Sequence, residues 1–264
     1  MSSTTLPGRR PEAPLLPLAL ALGALGGTVG ALAYAVQAPG SQIFGPTLVA
    51  PPRPHQFALT FDDGPNPAVT PYLLDVLARH QVRATFFLIG KWVREEPELT
   101  RRIATAGHAI GNHTQHHPWL PRLSAQEIHR EMRDCNHALE DVLGRPVTLF
   151  RPPHGARSPA VLRSARALGL LTVQWNIIAG DWNPRPPDEL LRRIEKGRAR
   201  NLRRGRGSML VLHDGGQKML GAARMPTVRA VDSLLSALPR ATEFVVPGEW
   251  NEDSAKHTAE NPRN

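Results

Sequence analysis

Five short polar clusters hold the side chains that could do chemistry. Asp62-Asp63-Gly64-Pro65 sets two carboxylates side by side. Adjacent carboxylates repel, and a cation or an arginine must compensate them; on its own, Asp-Gly-Pro is also ordinary surface-turn chemistry. Gly111 to Pro118 reads GNHTQHHP, with His113 and His117 four apart. On a helical turn that spacing puts both imidazoles on one side, where they could share an ion. His116 reads as a bystander or outer group. Arg151-Pro152-Pro153-His154-Gly155 offers a permanent cation on a stiff loop. Gly180-Asp181-Trp182 and His213-Asp214-Gly215 complete the set.

The segments between these clusters are the elements that must position them. FALTF (57–61), ATFFLIG (84–90), the stretch around His108 to Gly111, TLF (148–150), LTVQWNI (171–177), SMLVLH (208–213) and EFVV (243–246) read as strands. Helices are expected over 68–80, 95–106, 124–143, 159–168, 188–200 and 227–238. Ser124 and Glu127 form a capping-box pair at the start of the longest, and Gly144 closes it. Alternation of this kind implies a parallel sheet. About seven βα units point to an α/β fold of the distorted, incomplete (β/α)-barrel type. Such folds bind ligands beyond the carboxyl ends of their strands, and all five clusters fall there.

One carboxylate with two imidazoles is a facial metal triad with open positions, and Asp63, His113 and His117 supply it. Asp62 is then a carboxylate beside the ion, suited to take a proton from water. His213 is placed to return one to a leaving amine.

Taken together and in order, TFDDGP (60–65), GNHTQHHP (111–118), FRPPHG (150–155), GDW (180–182) and LVLHDG (210–215) resemble the polysaccharide deacetylase family, the NodB-homology domains of carbohydrate esterase family 4. The resemblance covers about residues 56–246. It implies hydrolysis of N-acetyl groups on a GlcNAc-containing polysaccharide, whether peptidoglycan, chitin oligomer or exopolysaccharide. It also implies one divalent ion, usually zinc, with Co, Ni or Mn also suited. By the same resemblance Asp62 is the base and His213 the acid, and Asp63, His113 and His117 are the metal ligands. Arg151 orients the base, Asp181 supports His213, and Trp182 lines the acetyl groove. The His154 N–H is the candidate oxyanion donor, because the prolines before it cannot donate. Two positions depart from the family pattern: His154 stands where Tyr is usual, and Ile178 where an Asp is usual.

The remaining chain is expected to divide into an N-terminal segment (1–36), a Pro-rich linker (37–55), the deacetylase domain (56–250) and a polar tail (251–264). Arg9 and Arg10 precede a charge-free run from Pro14 to Gly40, long enough for a membrane anchor or a signal peptide. Either reading exports the domain, anchored outside the cytoplasm or released to the cell wall or medium. The single cysteine, Cys135, excludes an internal disulfide and reads as a buried helical residue.

The net charge of +9 raises nucleic acid as a partner. The basic run Lys196, Arg198, Arg200, Arg203, Arg204 and Arg206 reads instead as a solvated face, and no nucleic acid is expected. Two further function classes share part of the pattern. Non-haem iron oxygenases use the same triad but need no flanking base and acid. A non-catalytic sugar-binding module would have no use for both proton-transfer residues.

Overall fold

The computed structural model describes residues 30–251. The chain divides into two units, Met1–Tyr34 and Ala35–Asn264, and the second holds the sheet and the site. Most of the N-terminal apolar run and the polar tail lie outside the described residues. Among the described residues no helix is long and apolar enough to cross a membrane.

The sheet consists of β1 (Gln56–Gly64), β2 (Thr85–Leu88), β3 (Ala109–Asn112), β4 (Leu149–Phe150), β5 (Leu171–Thr172), β6 (Ile177–Ile178), β7 (Ser208–His213) and β8 (Glu243–Phe244). Every pairing is parallel, in the order β5-β4-β3-β2-β1-β7-β6, with β8 beside the start of β1. The helices between β1 and β8 are α1 (Thr70–Arg79), α2 (Gly90–Glu95), α3 (Pro97–Thr105), α4 (Ala125–Leu143), α5 (Pro159–Ala167), α6 (Pro187–Arg203) and α7 (Met225–Ala237). The expected incomplete (β/α) barrel is the observed fold.

The curl of the sheet follows from one short connection. LTVQWNI, expected as one strand, is two. Leu171 and Thr172 pair with β4, while Ile177 and Ile178 pair with β7 at the opposite edge. Five Cα steps, at most about 17 Å, join the two edges, so the sheet must bend back on itself. The residues between are held in turn by the Leu48 main chain and by Met209 O, which accepts from Asn176 N at 3.1 Å. An apolar run cannot say that it changes neighbours halfway, and for that reason it reads as continuous.

Strand alternation sorts the side chains into two environments. Phe57, Leu59 and Phe61 of β1, with Leu210 and Leu212 of β7, face the helices and join the main core. Ala58 and Met209 face inward, into a second core with Phe87, Leu149 and Val173. Following the inner face upward, Ala58, Thr60 and Asp62 lie level with Met209, Val211 and His213. The inner face that is apolar at its base thus ends in a carboxylate and an imidazole. Arg151 follows inward-facing Leu149 by two residues and shares that lumen.

Two other expectations change. The helix read over 95–106 is the shorter α3, and α2 before it is a separate helix that was not expected. Pro97 disfavours helical backbone at Glu96, which sits at φ −124°, ψ 56°. The Pro-rich segment 37–55 does not stand off from the domain as a linker. Leu48 N donates to Thr172 O at 2.8 Å, Gly207 N donates to Pro51 O at 2.8 Å, and Ala50 is buried. Leu48 bridges to Val173 beside the edge strand β5, so the segment lies along that edge. The Ser124–Glu127 capping box and the left-handed Gly144 are both present. Cys135 is buried, and burial raises its thiol to about 12.

Candidate active site

Successive strand residues normally face opposite ways, yet Asp62 and Asp63 both line one cavity of about 1060 Å³. A register shift between Asp62 and Gly64 makes this possible. Asp63 takes a left-handed φ of 71°, which swings its side chain to the inner side. Gly215 allows the close approach behind it, since a Cβ there would lie 2.0 Å from Asp63 O.

His113 and His117 reach Asp63 by a different route from the helical turn expected. Residues 113–118 form a loop with positive φ at Thr114 (67°) and His117 (60°). Its turn is tied by Thr114 Oγ1, which accepts from His117 N at 3.0 Å, and by Asn112 Oδ1, which accepts from Thr114 N at 2.7 Å. The two imidazoles meet edge to face with centroids 4.9 Å apart. His116 turns outward to Glu131 at 2.8 Å.

Asp63 Oδ1 lies 3.2 Å from His117 Nε2 and 3.5 Å from His113 Nε2. Ligand atoms of the three buried residues all fall within 4.8 Å of one another. Asp63 Oδ1 is buried with no hydrogen-bond partner, an arrangement that is costly unless a cation completes it. His113 Nδ1 sits 2.7 Å from Arg151 O, which fixes the proton on that nitrogen and leaves Nε2 free to ligate. Burial pushes His117 down to about 3, against the opposing pull of Asp63. Burial would raise Asp63, but the adjacent imidazole of His113, with His117 and His213, outweighs it and holds the carboxyl well below the usual range. A neutral imidazole beside an ionised carboxylate is the protonation state a divalent ion requires. The donor set fits zinc or a similar borderline ion.

Asp62 is held from the other side. Arg151, fully buried, donates from Nη1 to Asp62 Oδ1 at 2.8 Å and to Thr60 Oγ1 at 2.7 Å, and its guanidinium lies 4.1 Å over the Phe87 ring. This engages one carboxylate oxygen and leaves Oδ2 toward the triad, 3.8 Å from His113 Nε2.

His213 Nδ1 lies 2.9 Å from Asp181 Oδ1, and His213 N donates to Asp181 Oδ2 at 2.8 Å. Thr227 Oγ1 also donates to Asp181, at 2.9 Å. Burial alone would lower the His213 imidazole. Asp181, with smaller help from Asp63 and Asp62, overcomes this and raises it to about 9. Trp182 stands edge-on to His213 at 5.5 Å and is 44% exposed at the cavity mouth. His154, at φ 58°, lines the cavity with its ring 4.7 Å from His117 and 5.1 Å from Trp119.

Eight of the nine residues singled out in the sequence therefore line one cavity, and the ninth, Arg151, lies buried behind it against Asp62. Thr60 and Thr227, which tie down Arg151 and Asp181, are additions. Thr60 sits within the TFDDGP motif and could have been noticed; Thr227, at the start of α7, gives no signal in sequence.

A curled parallel barrel with a buried Asp-His-His cluster at its strand ends, flanked by a carboxylate and an imidazole, defines a metal-dependent hydrolase class. A family model described as polysaccharide deacetylase matches residues 50–173. A chitooligosaccharide deacetylase of Bradyrhizobium sp. (strain ANU 289) is 39% identical over 189 residues, covering 69% of this chain and 84% of that protein. The peptidoglycan-N-acetylglucosamine deacetylase PgdA of Listeria monocytogenes is 36% identical over 195 residues, covering 74% of this chain and 38% of that protein. Among solved structures, the Bc1960 peptidoglycan N-acetylglucosamine deacetylase superposes with a TM-score of 0.66 at 29% identity, over 75% of this chain and 88% of that one. The chain belongs to the polysaccharide deacetylase family.

Proposed function

We propose that this chain hydrolyses the acetamide of N-acetylglucosamine units in a polysaccharide, with Asp62 as base, His213 as acid, and Asp63, His113 and His117 holding one divalent ion, zinc in the first instance. The observation that carries this reading is the buried, unpartnered Asp63 Oδ1 facing two imidazole nitrogens, in a cavity that Asp62 and His213 also line. A divalent ion in that cluster would supply Lewis-acid polarisation of the acyl oxygen and a lowered pKa for water.

The protein groups do the rest. Asp62 Oδ2 takes a proton from the attacking water while Arg151 holds the carboxylate in place through Oδ1. The water oxygen bonds to the acyl carbon, and the carbonyl electron pair moves onto oxygen. The His154 N–H, turned by its positive φ, is the donor assigned to that oxyanion. His213, protonated on both nitrogens near neutral pH, gives its Nε2 proton to the amide nitrogen as the C–N bond breaks. Acetate and a free amine leave. Trp182 packs against the acetyl methyl.

Export is the location that suits such a substrate, and the charge-free run after Arg9 and Arg10 is the segment assigned to it, as cleaved signal or retained anchor. N-terminal sequencing of the mature protein separates these two. The functional reading is tested by acetate release from a panel of N-acetylated glycans, with chelator and metal add-back. Chelator-sensitive release restored by zinc, cobalt, nickel or manganese supports it. Release from none of the glycans by metal-loaded protein contradicts it.

A further inference from the structure

We propose that the groove selects N-acetylated polysaccharides carrying carboxylates on sugars beside the one attacked, and that Arg224 and Lys218 recognise those carboxylates. This rests on the deacetylase reading above and narrows its substrate. Acidic side chains in the cavity wall are confined to Asp62, Asp63 and Asp181, all buried at the reacting end. The remaining charged wall is cationic: Arg185, Lys218 and Arg224. Arg185 is compensated by Glu189 at 2.6 Å.

Arg224 is not compensated in this way. It is half-buried, and main-chain oxygens hold it: Nε donates to Gly215 O at 3.0 Å and Nη1 to Ala223 O at 3.1 Å. Among the described residues no carboxylate pairs with it. Carbonyls fix a guanidinium in place but do not neutralise it, so its charge stays available to a ligand. Lys218, exposed on the same loop, also has no carboxylate partner among the described residues. Lys91 adds a third cation there, donating to Gln217 O at 2.8 Å.

The loop from Gly215 to Arg224 thus presents fixed positive charge to whatever fills the groove. The exposed apolar wall of Trp182, Ile178 and Met219 suits the faces of sugar rings regardless of their charge. The cations add discrimination that a neutral chain could not use. A single guanidinium fork matches the planar, singly charged carboxylate.

The test measures kcat/KM for acetate release by the metal-loaded full chain on three oligosaccharides of equal length. One is a neutral β-1,4-linked N-acetylglucosamine oligomer. The second carries lactyl carboxylates on alternate units, and the third alternates with a uronic acid; these two distinguish the sources of the carboxylate. At low ionic strength at least one acidic substrate should exceed the neutral one by about tenfold, and the preference should approach parity near 0.5 M salt, where the Debye length is only a few ångströms. Lys218→Gln and Arg224→Gln should each reduce the acidic-to-neutral ratio severalfold, through KM. Lys218→Gln breaks no hydrogen bond and keeps the test decisive if Arg224→Gln fails to fold. The proposal is overturned if the neutral oligomer is processed as well as both acidic ones, or if neither substitution moves the ratio. Acetate from none of the three would overturn the deacetylase reading and this inference with it.

Discussion

Asp62 and His213 are register partners across β1 and β7, on the inner face of adjacent strands at the same level of the barrel. Base and acid candidates are therefore positioned by sheet pairing rather than by loops, with the Asp63 cluster directly beside them. This geometry predicts separable roles. Asp62→Asn should bind the ion with near-normal affinity while kcat falls by about 10²–10⁴. Calorimetric metal titration alongside acetate release checks both. A variant that keeps a near-normal rate would remove Asp62 from the mechanism.

The His213–Asp181 contact sets a pH dependence. The His213 imidazole is raised to about 9 by Asp181, so the proton it must donate is present below that pH and lost as pH rises through it. The kcat/KM profile should accordingly have an alkaline limb controlled by His213. Asp181→Asn should move that limb to lower pH and reduce kcat at neutral pH. The same sign governs stability, since the contribution of the pair fades as pH rises through the folded value. A pH–rate profile of the variant that superposes on wild type would show that Asp181 does not act through His213.

Arg151 is fully buried and pairs with Asp62. Arg151→Met strands a carboxylate in the barrel, at a cost of about 3–5 kcal/mol. The expected result is a lower Tm together with a loss of activity. Adding Asp62→Asn should recover much of the stability but none of the activity. A denaturation series on the single and double variants reads this directly.

The triad predicts a stability linkage to metal. Zinc at about a hundredfold its Kd should raise unfolding free energy by about 2.7 kcal/mol. Chelation should reverse it, and His113→Ala or His117→Ala should abolish the increment. Differential scanning calorimetry with and without chelator checks it, and an increment surviving both substitutions would place the ion elsewhere.

Much of this was legible in sequence because strand ends and chemistry coincide. FALTF runs into Asp62-Asp63 and SMLVL into His213, so alternation and position together announced the site. The capped helix from Ser124 to Gly144 was legible because its stop signals are local. What the sequence hid is non-local or conformational. The split of 171–177 between two sheet edges depends on which strands are neighbours. The left-handed φ at Asp63 and His117 is adopted by residues that do not advertise it, so the His113/His117 pair read as a helical turn when it is a tied loop. The segment 37–55 read as a spacer because its prolines mark extended chain without showing what that chain covers.

The most direct test of the central claim, one ion held by Asp63, His113 and His117 between Asp62 and His213, is anomalous scattering at the zinc edge from crystals of the metal-loaded protein. A single strong peak within bonding distance of Asp63 and both imidazole Nε2 atoms is the predicted result. A peak on other residues, or none at full occupancy of active protein, would contradict the account.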